Sequence, residues 1–156
     1  MNNLAPETIS EVIVRALERT AFVLADTVYA EDVSDDFQPQ WYSRIGFTGI
    51  AEGTILLSAN EEFVRELAAS MLGVEPDEVE LASQGRDALN ELANIIGGSI
   101  IIELGGRDHE YQYGLPSAID ASELPARSAG AVDGWVESED GVLCVSWLPQ
   151  AASKAA

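Results

Sequence analysis

Glu91-Leu92-Ala93-Asn94 sets a carboxylate and a carboxamide three residues apart inside an apolar run. Asp87 stands one turn before them, and Gly97-Gly98 follow one turn after. Residues three and four apart share a helix face, so Asp87, Glu91, Asn94 and Gly98 form one stripe. Leu89, Leu92, Ile96 and Ile100 supply a buried face of the same helix, widened by Ala88, Ala93 and Ile95. The stripe is polar along most of its length and bare of side chains at one end. Such a surface suits a helix that must enter another protein's active site. On spacing alone, a core helix whose polar residues simply face water is the better reading. Asn94 and the glycines weigh against helix formation, each glycine by about 1 kcal/mol. The paired glycines favour the docking helix, because they let a partner's backbone approach the stripe closely.

Outward from that stretch, Pro76 is placed as a first-turn proline, with Asp77, Glu78 and Glu80 where a helix N-terminus favours negative charge. The helix runs to about Leu104, where Gly105-Gly106 ends it, and Gly85 is a point at which it can break in two. Upstream, Thr8-Ile9-Ser10-Glu11 has capping-box spacing. Ile9, Val12, Ile13, Ala16, Leu17 and Leu24 recur at helical spacing and predict a first amphipathic helix over about 8–29. Glu31 to Gln40 is acidic and polar, hence a loop. Arg44 to Ile50 and Thr54 to Ser58 flank Ala51-Glu52-Gly53 and predict a β-hairpin. Ser58-Ala59-Asn60-Glu61 has a second capping-box spacing and opens a helix over about 61–72 that stops at Gly73. From Glu110 onward the chain reads as strands, with Glu139-Asp140-Gly141 turning a hairpin between Val132–Ser138 and Val142–Leu148. The expected class is α+β: an antiparallel sheet packed with a long amphipathic helix and an N-terminal helix. Helix-then-hairpin occurs in both halves, a hint of an internal repeat.

The 156 residues predict a single domain with its core over about 9–148 and a frayed tail from Gln150 to Ala156. The length is sufficient to bury a core without staples. One cysteine, Cys144, excludes an internal disulfide, and with one histidine, His109, it cannot build a structural zinc site. Cys144 sits mid-strand with no arginine five residues on, so it reads as a core residue. His109 follows a Gly-Gly stop without a second histidine and reads as a surface loop. Trp41, Trp135 and Trp147 alternate with polar residues as strand core does. There is no phosphate-cradling Gly-Lys-Ser/Thr loop and no dinucleotide fingerprint. The first residues have neither a basic nor an apolar run, so no signal peptide is expected. No apolar run reaches about 18 residues, so no membrane span is expected, and the default compartment is the cytoplasm. The net charge of −19 repels phosphate backbones and anionic lipid, which argues against nucleic acid, membrane surfaces and free anionic metabolites. A phosphate would have to arrive already shielded by cations on a partner protein.

At these residues the chain resembles a known family. Asp87-x-x-x-Glu91-x-x-Asn94, with Gly98 after it and Pro116 further on, is similar to the signature of the CheC/CheX/FliY chemotaxis phosphatases, which dephosphorylate the response regulator CheY. Ile45-Gly46-Phe47-Thr48-Gly49 through Gly53-Thr54-Ile55-Leu56-Leu57 is similar to that family's strand pair. Met71-Leu72-Gly73 is similar to the end of its small helix, and Leu115-Pro116 to the strand carrying its proline. The likeness covers about residues 9–148. Twenty-one residues lie between Asn94 and Pro116, one fewer than the family's usual spacing. Many relatives carry two Glu-x-x-Asn sites; here the first helix has Glu18-Arg19-Thr20-Ala21 and no asparagine after Glu11. A single site is similar to CheX, and CheX-like chains form homodimers.

The resemblance implies a CheX-like fold and a division of labour. The aspartyl phosphate, a lysine and a divalent metal, magnesium, belong to a phosphorylated CheY-like receiver, so the chain needs no cofactor and no metal ligand of its own. Asn94 would orient a water in line with the phosphorus, and Glu91 would engage the receiver's lysine. Asp87, Gly97, Gly98 and Pro116 would serve docking. The alternative on the same fold is a receiver-binding adaptor without catalysis, similar to the flagellar-switch relatives.

Overall fold

A computed structural model of the chain describes residues 4–49, 52–105 and 111–150. Their strands are β1 (Ala25–Val28), β2 (Trp41–Gly49), β3 (Gly53–Ala59), β4 (Tyr111–Tyr113), β5 (Ser117–Ile119), β6 (Val132–Ser138) and β7 (Val142–Pro149). All join one antiparallel sheet in the order β1-β6-β7-β3-β2, with β4 and β5 both pairing β2 at the far edge. The expected α+β class with an antiparallel sheet is the observed one. The hint of a repeat also has a structural form. β3 and β7 pair at the centre, each beside its own hairpin partner. Each hairpin's outer strand then accepts the edge strand of the other half: β6 takes β1, and β2 takes β4 and β5.

Three helices lie on one face: α1 (Pro6–Ala16), α2 (Glu61–Leu72) and α3 (Arg86–Glu103). Alternation along the strands aims Ile45, Phe47, Ile55, Leu57, Val136, Leu143, Val145 and Trp147 at them, all buried in one core with Ile9, Ile13, Phe63, Leu67, Leu92 and Ile96. The other face buries a smaller group, Tyr42, Leu56 and Leu148. α2 begins at Asn60, whose side-chain oxygen accepts from the backbone N–H of Phe63 at 3.1 Å and of Val142 at 3.0 Å, so one cap ties the helix to β7. It ends at Gly73, which takes φ +70. α3 ends with Leu104 as its cap, and Gly105 beyond it takes φ +98.

Several expectations need correction. The first helix does not reach residue 29. After α1 the chain widens into a π-turn over Leu17–Ala21, Phe22 adopts φ +55, and Val23 N–H bonds Leu17 O at 3.1 Å. The chain then reverses and Ala25–Val28 pairs with β6. Leu24, expected on the apolar face, is exposed. The capping box at Thr8–Glu11 is absent, since α1 starts at Pro6 with no side-chain cap. Asn60 rather than Ser58 caps α2. The run from Pro76 is not one helix: a 3-10 turn at Pro76–Glu78 and a π-turn at Leu81–Gly85 precede α3, so Gly85 is the break. There Gly85 packs so closely on Val64 that a Cβ would lie 2.8 Å from its Cγ1. Trp41 and Trp147 face the helices, but Trp135 is half-buried on the other face, with Phe37 edge-on at 5.5 Å. His109 and the tail beyond Gln150 lie outside the described residues.

Candidate functional site

α3 positions the stripe. Its buried side, Leu89, Leu92, Ala93, Ile96 and Ile100, is pressed into the core and sets the helix's rotation. Asp87, Glu91 and Asn94 are consequently turned outward and exposed. No helix of the described residues is long and apolar enough to cross a membrane. Glu91 and Asn94 have no protein partner among the described residues, and Asp87 has only the neighbouring Arg86, at 4.0 Å. Unpaired carboxylate and carboxamide groups on a rigid element are free to engage an incoming partner, and the backbone that carries them is already ordered.

The two glycines separate. Gly98 is half-exposed on the stripe, and a Cβ there would meet nothing within 4 Å. Gly97 is buried against the sheet, where a Cβ would lie 3.0 Å from Phe47 Cζ and 3.2 Å from Ile45 Cγ2. The expectation that both glycines bare the stripe is therefore corrected for Gly97: its role is the close approach of α3 to β2. Pro116 is half-buried in the break between β4 and β5, and both of those strands pair with β2, over which α3 lies. The next residue back, Leu115, is 90% exposed. A groove of about 300 Å³ runs beside the first turns of α3, between Arg86, Leu89, Trp41 and Ala118.

A buried hydroxyl beneath the helix has no counterpart in the motif. Ser43 is fully buried on β2, and its hydroxyl donates to Asn90 Oδ1 at 2.6 Å. Asn90 immediately precedes Glu91 and lies one turn before Asn94. A serine at a core-facing strand position, in alternation with Ile45 and Phe47, was the available signal.

Other candidates carry no chemistry. Cys144 is buried, and that burial pushes its thiol up to about 12, far from a reactive thiolate. Among the described residues no group of three or more His, Cys, Asp or Glu side chains is arranged to hold a metal ion. A larger cavity of about 550 Å³ lies near the start of α1 and the end of β1, bordered by Glu7, Glu11, Tyr29, Glu31 and Trp135. None of the stripe residues lines it.

Residues 41–137 match the family model described as chemotaxis phosphatase CheX. No curated protein matches the chain by sequence. Among solved structures, the fold is similar to chemotaxis protein CheX from Desulfovibrio desulfuricans, with a TM-score of 0.71 at 18% identity over 91% of this chain and 96% of that one. It is similar to the CheX-CheY-BeF3-Mg2+ complex from Borrelia burgdorferi, with a TM-score of 0.73 at 14% identity over 96% and 100% of the two chains. It is also similar to Thermotoga maritima FliY, with a TM-score of 0.58 at 16% identity over 92% and 89%.

Proposed function

Because this chain belongs to the chemotaxis phosphatase CheX family, we propose that it dephosphorylates the aspartyl phosphate of a CheY-like response regulator in the cytoplasm. The observation that carries this is the exposed pair Glu91 and Asn94, one turn apart on a helix whose other faces are locked in the core. A relative of the same fold, the Borrelia CheX, is solved with CheY, BeF3 and Mg2+.

The receiver supplies the acyl phosphate, its own magnesium and a lysine, and α3 completes the site. Water attacks phosphorus as the bond to the aspartate oxygen breaks, leaving the receiver's carboxylate and inorganic phosphate. Asn94 holds that water in line. A carboxamide is neutral, so it contributes position rather than basicity. Glu91 pairs with the receiver's lysine and fixes the docked geometry. Asp87 lies at the shoulder of the helix and supports docking. The net charge of −19 is compatible with a phosphate that arrives already paired with cations, and it attracts a basic surface on the receiver.

The direct test is phosphate release from a phosphorylated receiver of the same organism, in magnesium, with the chain at substoichiometric amounts. Acceleration over the receiver's own decay is the expected result. Tight binding without acceleration on any of the organism's receivers would make the chain an adaptor instead. We also propose a homodimer at micromolar concentration, because the sheet has two open edges, β1 on one side and β4 with β5 on the other, whose unpaired backbone groups can take a second sheet. Light scattering that returns only the 16.7 kDa of one chain across that range removes the dimer.

A further inference from the structure

α3 carries two adjacent polar rows of opposite character. Asp87 and Glu91 make a row of carboxylates. Arg86, Asn90 and Asn94 follow one another at i, i+4 and i+8 and make a row of N–H donors beside it. A phosphorylated receiver presents the matching pair, a phosphoryl dianion and a lysine.

Asn90 is the fixed member of the donor row. Ser43 is fully buried, and a buried hydroxyl without a partner is costly, so its bond to Asn90 Oδ1 at 2.6 Å holds the carboxamide in one orientation. With the oxygen turned to the sheet, the Nδ2 branch is turned the other way. Among the described residues no acceptor bonds that nitrogen, and it is not among the buried atoms that lack a partner. Its N–H groups therefore keep access to solvent.

We propose that Asn90, oriented by Ser43, is a further binding residue of this site and donates to an oxygen of the receiver's phosphoryl group. This rests on the proposed function. Asn94 holds the attacking water while Asn90, one turn back on the same row, holds the phosphoryl group still. Ser43 is the positioning residue behind it. The bond reaches a charged acceptor, the stronger kind of hydrogen bond, so its loss is readable as affinity.

The experiment measures affinity for a receiver of the same organism in two forms, unmodified and activated with beryllium fluoride and magnesium. It uses wild type, Asn90→Ala, Ser43→Ala, and the Ser43→Ala/Asn90→Ala pair, with thermal unfolding beside each. Asn90→Ala is expected to bind the activated receiver about tenfold more weakly or worse, with the unmodified form little changed. Ser43→Ala keeps the amide but frees it, so its loss is smaller and falls on the same form. The pair removes donor and acceptor together, so stability returns toward wild type while binding to the activated form stays impaired. Recovery of binding in the pair, or an equal loss on both receiver forms, overturns the proposal, because Asn90 would then be only a strut or touch some other acceptor. If wild type neither prefers the activated receiver nor speeds decay of the phosphorylated one, the proposed function itself has failed. If wild type does both, Asn94→Ala abolishes the acceleration, and the Asn90 variants bind as wild type does, this inference alone has failed.

Discussion

α1 lies over β6 and α3 lies over β2, strands that the sheet makes counterparts in its two halves. Each helix comes close to its strand, and the space is made on opposite sides. Under α1 the strand gives way: a Cβ on Gly134 would lie 2.6 Å from Ile9 Cγ2 and 2.8 Å from the Ser10 backbone nitrogen. Over β2 the helix gives way, at Gly97, and what a Cβ would meet there is side-chain ends rather than backbone. The outward faces differ more. α1 shows Glu7, Glu11 and Arg15 to water, and the position three after Glu11 is Val14, half-buried. On α3 the position three after Glu91 is Asn94, exposed. Two helices with the same structural duty thus have different surfaces, and only one carries a carboxamide where a reacting water could be held.

The sharpest way to break that contrast is to substitute both faces alike. Asn94→Ala leaves a better helix former on α3, so folding and receiver binding should persist while acceleration of phosphoreceiver decay falls about a hundredfold or more. Glu91→Ala should weaken binding as well as rate, and Glu91→Lys should be worse, since it sets a positive charge against the receiver's lysine. Glu11→Lys on α1 makes the same change in net charge and should leave decay near the wild-type rate. Should Glu11→Lys match Glu91→Lys, the effect is bulk charge and α3 has no special face. Should Asn94→Ala act at the wild-type rate, the stripe is not the active site.

The packing half of the contrast is tested by stability. Gly134→Ala drives a methyl group against a backbone nitrogen that cannot move aside, and overpacking of that kind costs about 1–3 kcal/mol. Gly97→Ala meets Phe47 and Ile45, which can give by a few tenths of an ångström, while helix propensity returns up to about 1 kcal/mol. Denaturant unfolding should therefore show Gly134→Ala well below wild type and Gly97→Ala close to it. Equal losses would mean that α3 is held as rigidly as α1 and that the side chains beneath it do not yield.

What could be read from the chain follows the same division between local and distant causes. Both hairpins, the ends of α2 and the face of α3 rest on periodicity and turn residues within a few positions, and the structure has them where the sequence places them. The helical spacing continues some eight residues beyond the π-turn at Ala21, because the helix's end depends on Phe22 entering a left-handed conformation and on β1 pairing with β6, more than a hundred residues away. Nothing near Leu24 announces that pairing. Gly97 and Gly98 look alike from sequence, and only the strand beneath shows that Gly97 is the enclosed one. The outward turn of Asp87, Glu91 and Asn94 was legible from spacing. The Ser43–Asn90 bond joins residues 47 apart, and no local pattern links them.

The smallest expected effect concerns the bare end of the stripe. Gly98 has open space where a Cβ would stand, and it sits inside α3 with ordinary helical neighbours. Gly98→Ala should therefore stabilise the protein by up to about 1 kcal/mol, from propensity and from a less disordered unfolded chain. A glycine that lowers stability without a packing reason in its own fold invites an external one. If a receiver backbone seats against Gly98, the added methyl group separates the two surfaces, and the concentration of receiver needed for half-maximal rate should rise severalfold. The rate at saturation should stay near wild type, because the methyl group lies beyond Asn94 and affects docking rather than the held water. A gain in unfolding free energy with no change in receiver dependence would show that nothing approaches this end of the helix.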